Sequence, residues 1–93
     1  MNLGDLFERR YGDYDAAREC YARAVALQPS DSRNRAFFGR LLFERFGDAA
    51  AALAQLEEAV RLTPANGDIR GFCDHVRAAA AKATPLAPMR RAD

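Results

Sequence analysis

The chain has little of what metal, redox and membrane proteins need. Its 93 residues include two cysteines, one histidine and no tryptophan. Cys20 and Cys73 are 53 positions apart with no CxxC pair, so zinc-ligand and redox spacings are both missing. The longest apolar run, Ala49 to Ala54, has six residues, whereas a bilayer span takes about 20. We therefore expect two buried thiols, no metal site and no membrane segment.

An excess of either charge is also missing. Fourteen Lys and Arg balance thirteen Asp and Glu, for a formal net charge of +1. This disfavours a nucleic-acid partner, because such proteins usually carry a basic face that neutralises phosphates. The first ten residues mix acids and bases and lack the layout of a secretory signal. The expected location is the cytoplasm or another intracellular compartment.

Catalytic and cofactor motifs are missing as well. The six glycines lie singly, so there is no glycine-rich phosphate loop. His75 has no set of fellow ligands, and Cys20 has no base near it in sequence. Glu57 and Glu58 are adjacent on a predicted helix and therefore point in different directions. We expect no enzyme activity, no small-molecule substrate and no cofactor.

Helix-forming residues dominate what is present. Alanine alone fills 20 positions, and it has the highest helix propensity. Glycines and prolines fall at positions that divide the chain into segments of helical length. The predicted class is all-α, with five helices near 2–11, 14–28, 33–46, 49–62 and 68–83.

The chain repeats itself with a period of 35 residues. Sliding the sequence by 35 gives 11 identities over the 29 aligned pairs from Leu3 to Asp31. The identical pairs include Gly4 with Gly39 and Pro29 with Pro64. A period of this length with two helices inside it is typical of a solenoid, in which each unit packs against the next.

The repeated segments resemble a known family. GDYDAARECYARAVALQP, from Gly12 to Pro29, resembles the second helix of a tetratricopeptide repeat, and GDAAAALAQLEEAVRLTP repeats the pattern. Phe38, Gly39 and Leu42 resemble the first-helix pattern. The family period is 34, and the extra residue falls at 9–11 and again at 44–46. A weaker resemblance, over FERRYGDYDAARECYARA, is to the half-a-TPR repeats of RNA-processing scaffolds.

The resemblance implies a right-handed α-solenoid in residues 1–83. It consists of two helix-turn-helix repeats, at about 1–31 and 32–66, and a C-terminal capping helix at about 68–83. Asp13 and Asp48 are placed to cap the second helix of each repeat. In the last helix Asp74 and Arg77 make the far face polar, as a terminal helix requires. Residues 84–93 are expected to form a flexible tail.

The resemblance also implies a function, which is binding a peptide or partner protein in the concave groove. The groove positions carried over from the family are Asp5, Glu8, Arg33, Arg40, Phe43, Asp68 and His75. From these residues we expect a ligand that combines an acidic group with an apolar side chain. Two alternatives remain open: self-assembly through Leu3, Leu6 and Phe7 at the N-terminal edge, and a scaffold role in an RNA-processing complex.

Overall fold

The computed structural model describes residues 3–83, except for the side chains of Leu3, Asp5 and Ala83. The described chain is helical apart from short connections, which confirms the all-α prediction. The helices are α1 (Leu3–Leu6), which continues into a π-helical turn (Phe7–Tyr11), then α2 (Tyr14–Leu27), α3 (Ser32–Phe46), α4 (Ala49–Leu62) and α5 (Gly67–Ala83). The predicted tail at 84–93 lies outside the described residues.

Each long helix begins at a side-chain cap. The Oδ1 atoms of Asp13 and Asp48 accept hydrogen bonds from the backbone N–H of Ala16 and Ala51, both at 3.0 Å. Both capping predictions are therefore confirmed. Asp31 caps α3 and Asn66 caps α5 in the same way. These caps satisfy N–H groups that have no partner inside the helix.

The extra residue of the 35-residue period lies at the C-terminal end of each first helix. The N–H groups of Gly12 and Gly47 donate to the carbonyls of Phe7 and Leu42, five residues back instead of the usual four. Both glycines have a left-handed backbone, with φ of 64° and 63°, which side chains other than glycine rarely adopt. One wider turn in each repeat therefore accounts for 35 residues in place of 34.

Two apolar clusters hold the helices together. The first consists of Ala17, Tyr21 and Leu41, and the second of Leu42, Ala52, Leu56, Cys73 and Val76. Phe38 and Phe46 pack against both clusters, so the core runs continuously from α2 to α5. Within residues 3–83, no helix is long and apolar enough to span a membrane.

Small residues let the helices approach closely. A Cβ atom on Gly39 would lie 2.8 Å from Cγ of Leu56, and one on Gly4 would lie 3.0 Å from the Tyr21 ring. These two glycines are 35 positions apart, and each lets the first helix of its pair lie close to the second. Short connections reverse the chain at each step, so α3 and α5 run in the same direction with α4 returning between them. This arrangement leaves a groove between α3 and α5.

Candidate functional site

A small pocket opens in the groove between α3 and α5. Its volume is about 170 Å³, and it is lined by Ala36, Phe37, Arg40, Leu56, Asp68, Ile69 and Phe72. Sites for drug-sized ligands span roughly 300–1,000 Å³. This pocket, which we call the α3–α5 pocket, therefore has the size to hold one side chain of a partner.

The interior of the α3–α5 pocket is apolar because it reaches the core. Leu56 is fully buried and Ile69 is 8% exposed, while Phe37 remains 36% exposed. The Phe37 ring lies 6.3 Å from the ring of Tyr21, centroid to centroid. An aromatic ring held by a neighbouring ring on one side and open on the other is suited to anchor a partner residue.

Arg40 at the edge of this pocket belongs to an ion network. Its Nη2 lies 3.2 Å from Oε1 of Glu8, and Nε of Arg45 lies 3.7 Å from the other oxygen of the same carboxylate. The Tyr21 hydroxyl donates to Glu8 at 3.4 Å. The guanidinium of Arg40 also lies 5.7 Å from the centre of the Phe37 ring. One carboxylate thus serves two guanidinium groups, and the side chains of Glu8, Arg40 and Arg45 together carry a net charge of +1.

Three rings continue the groove beyond the α3–α5 pocket. Phe43 of α3 meets Phe72 of α5 edge to face at 6.0 Å, and it meets His75 in the same way at 5.6 Å. His75 stacks on Phe72 at 5.9 Å. Phe43 and Phe72 also pack against the second apolar cluster. This contact fixes the spacing of α3 and α5, and so the width of the groove.

The structure brings most of the predicted site residues to this groove. Arg40 and Asp68 line the α3–α5 pocket, and Phe43 and His75 lie in the neighbouring ring cluster. Arg33 is exposed on α3 but does not line the pocket. The side chain of Asp5 lies outside the described residues.

The expectation for Glu8 needs correction. Its side chain is 5% exposed and is held by Arg40, Arg45 and Tyr21, so it is not an open groove contact. Three partners from α2 and α3 converge on this carboxylate, which explains why it tolerates burial. Glu8 therefore neutralises part of the positive charge in the groove and does not repel an acidic ligand directly.

Two residues that line the α3–α5 pocket were not among the groove positions expected from the sequence. Phe37 and Phe72 supply the aromatic walls of the α3–α5 pocket, yet neither was among the predicted contacts. They are 35 positions apart, so they occupy the same place in successive first helices. The register shows that the two positions are equivalent, but only the packing shows that Phe37 is partly exposed.

A second depression lies along α2. It has a volume of about 570 Å³ and includes Asp13, Asp15, Arg18, Glu19 and Phe38 in its lining. Most of these groups are already engaged: Asp13 caps α2, Arg18 pairs with Asp15 at 3.4 Å, and Phe38 packs in the core. The depression therefore offers fewer free groups to a partner than the groove does.

The thiols and acidic groups of the described chain do not assemble a reactive centre. Among residues 3–83, no three His, Cys, Asp or Glu side chains are grouped so that they could hold a metal ion. Burial raises the pKa of the Cys73 thiol, although Arg77 opposes the effect. A buried neutral thiol is a poor nucleophile. The chemistry that the groove offers is therefore apolar contact, ring stacking and charge.

The comparison with known families agrees with this geometry. Residues 1–31 match the family model described as tetratricopeptide repeat. No curated protein matches the chain significantly. The match covers the pair formed by α1, its π-helical turn and α2, and the pair α3–α4 repeats the same caps and the same wide turn. Residues 1–31, one third of the chain, are thus similar to a tetratricopeptide repeat, and α3 and α4 have the same helix-pair geometry.

Proposed function

We propose that this chain is a non-enzymatic protein-interaction module that binds a segment of a partner protein in the groove between α3 and α5. Tetratricopeptide repeats generally mediate protein–protein interaction. The observation that carries the proposal is the α3–α5 pocket, with the partly exposed ring of Phe37 in its wall. Its small volume favours one anchoring side chain over a substrate or a cofactor.

Several groove residues then have distinct roles in the proposal. Phe37 and Phe72 form the walls that receive the anchor, and Ile69 lies between them and the core. Arg40 and Asp68 at the pocket edge meet polar groups of the partner, while Phe43 and His75 extend the contact surface. Arg33 is left as a flanking residue. Buried aromatic anchors of this kind supply most of the binding energy in many interfaces.

The polar face of the last helix supports the proposal that α5 caps the helical repeats. In the 35-residue register Asp74 and Arg77 of α5 take the places of Gly39 and Leu42 in α3, where a following helix would pack. Arg77 instead binds Asp74 at 2.7 Å and Glu57 at 3.4 Å. A polar face whose charged side chains are already paired offers little apolar surface for another helix to pack against, so α5 fits the role of a cap.

Peptide display tests the proposal while the partner is still unidentified. A random peptide library is selected on the wild-type protein, and the enriched peptides are measured against Phe37→Ala. We expect a loss of about tenfold in affinity, as for a contact of moderate strength in an interface. The matched control is Leu27→Ala at the end of α2, where the side chain is 76% exposed and far from the groove in the helix order.

The two variants separate the outcomes cleanly. Peptides that lose affinity for Phe37→Ala and keep it for Leu27→Ala support binding in the groove. If the enriched peptides bind Phe37→Ala as tightly as the wild type, the contact surface lies elsewhere. Circular dichroism of each variant checks that the helices are retained.

A further inference from the structure

We infer that the partner segment carries one apolar side chain flanked by a basic residue and an acidic residue about three positions apart. This inference rests on the proposed function, because it names the chemistry of the occupant of the α3–α5 pocket. It is carried by the opposite charges that α3 and α5 contribute to the lining of an apolar cavity, Arg40 from one helix and Asp68 from the other.

The α3 side of the pocket is positive. Arg40 and Arg45 share the single carboxylate of Glu8, so the network retains one unit of positive charge. The Arg40 side chain is 27% exposed where it lines the pocket. A carboxylate on the partner would neutralise the remaining positive charge, since guanidinium groups bind carboxylates with well-matched geometry.

The α5 side of the pocket is negative. Asp68 is exposed in the first turn of α5 and forms no ion pair with any group in residues 3–83. Arg33 is the residue of α3 that corresponds to Asp68 in the 35-residue repeat, but it does not line the pocket. A lysine or arginine of the partner is the complement of Asp68, and its aliphatic stem suits the nearby apolar wall.

The separation of the two charges sets the spacing on the partner. Arg40 belongs to α3 and Asp68 to α5, and both line the pocket between these two helices. Helices that pack side by side lie about 8–10 Å apart. An extended chain rises about 3.3 Å per residue, so the flanking charges are about three residues apart. The apolar side chain then falls between them, above Phe37 and Phe72.

Partner segments with two like charges are disfavoured by the same geometry. An acidic residue at both flanks would bring one carboxylate to Asp68, and a basic residue at both flanks would bring one cation to the Arg40 network. Such contacts reduce affinity and so contribute to specificity. The pocket therefore favours a partner segment with one acidic and one basic flank over a segment whose two flanks carry the same charge.

Four short synthetic peptides test the charge pattern. Each has a central Leu in a Gly/Ser host, with flanking pairs three positions apart that are Lys and Glu, two Lys, two Glu, or two Gln. Binding is followed by the amide NMR shifts of the ¹⁵N-labelled protein at constant ionic strength. We expect the Lys/Glu peptide to bind about two- to fivefold more tightly than either like-charged peptide, the range for exposed ion pairs.

A charge change on the protein should reverse the ranking. In Asp68→Lys both sides of the pocket are positive, so the peptide with two Glu becomes the tightest of the four. The control is Asp15→Lys, which makes the same charge change in the first turn of α2 at a residue whose side chain is 83% exposed. If the charge at the pocket determines the ranking of the four peptides, Asp15→Lys keeps the wild-type ranking.

The outcomes also distinguish this inference from the proposed function. If the four peptides bind equally and Phe37→Ala weakens all of them, the groove is the binding site but the charge pattern is wrong. The inferred charge pattern is also wrong if Asp68→Lys leaves the ranking of the peptides unchanged. The same conclusion holds if none of the four peptides shifts the amide signals of the groove residues. Loss of binding by Phe37→Ala does not bear on the charges, so the two claims fail separately.

Discussion

Replacing Gly39 by alanine should destabilise the protein, although alanine is the better helix former. The added Cβ would lie 2.8 Å from Cγ of Leu56 and 3.2 Å from the carbonyl oxygen of Ala52. Leu56 is fully buried and packs in the second apolar cluster, so its neighbours there restrict its movement. Overpacking of this kind costs about 1–3 kcal/mol, whereas the gain in helix propensity is at most about 1 kcal/mol. The net loss is about 0–2 kcal/mol.

A matched substitution isolates the packing effect. Gly71 lies inside α5, and a Cβ there would meet nothing within 4 Å. Gly71→Ala therefore takes the propensity gain without the clash and should be stabilising by about 0.5–1 kcal/mol. Urea unfolding, followed by circular dichroism at 222 nm, should place Gly39→Ala below Gly71→Ala by about 1–3 kcal/mol. Equal stability of the two variants would refute the close approach of α3 and α4.

Three further predictions concern the core and the buried network. Leu56→Ala should lower the free energy of unfolding by about 2–5 kcal/mol, because a fully buried side chain leaves a cavity; a loss below about 1 kcal/mol in the same urea assay would contradict its place in the core. Glu8→Gln should cost about 1–3 kcal/mol, since it leaves Arg40 and Arg45 without their shared carboxylate; a change within about 0.5 kcal/mol, the range of ordinary surface substitutions, would contradict the network. Burial raises the pKa of Cys73 above its usual 9.0, so the stability that this thiol contributes is present below pH 9 and is lost as pH rises through the folded pKa. The difference in unfolding free energy between wild type and Cys73→Ala should therefore shrink above pH 9, and a constant difference would argue against it.

The fold was largely predictable because its signals are local or periodic. The caps at Asp13 and Asp48 and the glycine stops follow from short patterns that depend on a few neighbouring residues. The 35-residue register then pairs the helices even before any tertiary contact is considered. What the register did not reveal is how the extra residue is absorbed. A π-type hydrogen bond ending at Gly12 and Gly47 depends on backbone geometry, which side-chain patterns do not encode.

The sequence says less about the candidate groove, because the groove is formed by contacts between residues that are far apart in the chain. Glu8 was expected in the groove, but Arg40 reaches it from 32 positions away and Arg45 joins them. Nothing in the local sequence around Glu8 indicates that pairing. Phe37 was missed for the opposite reason: an aromatic residue on an amphipathic helix is usually core, and only the packing shows that it is partly exposed. The pocket also needs Phe72 from a third helix.

Mapping a bound peptide on the protein tests the central claim most directly. The peptide that display enriches most on the wild-type protein is titrated into the ¹⁵N-labelled chain, and the amide shift changes are assigned to residues. The account predicts that the largest changes fall at the α3–α5 pocket, at Ala36, Phe37, Ile69 and Phe72. Changes confined to α2, around Asp15 and Glu19, would contradict the groove as the interaction surface.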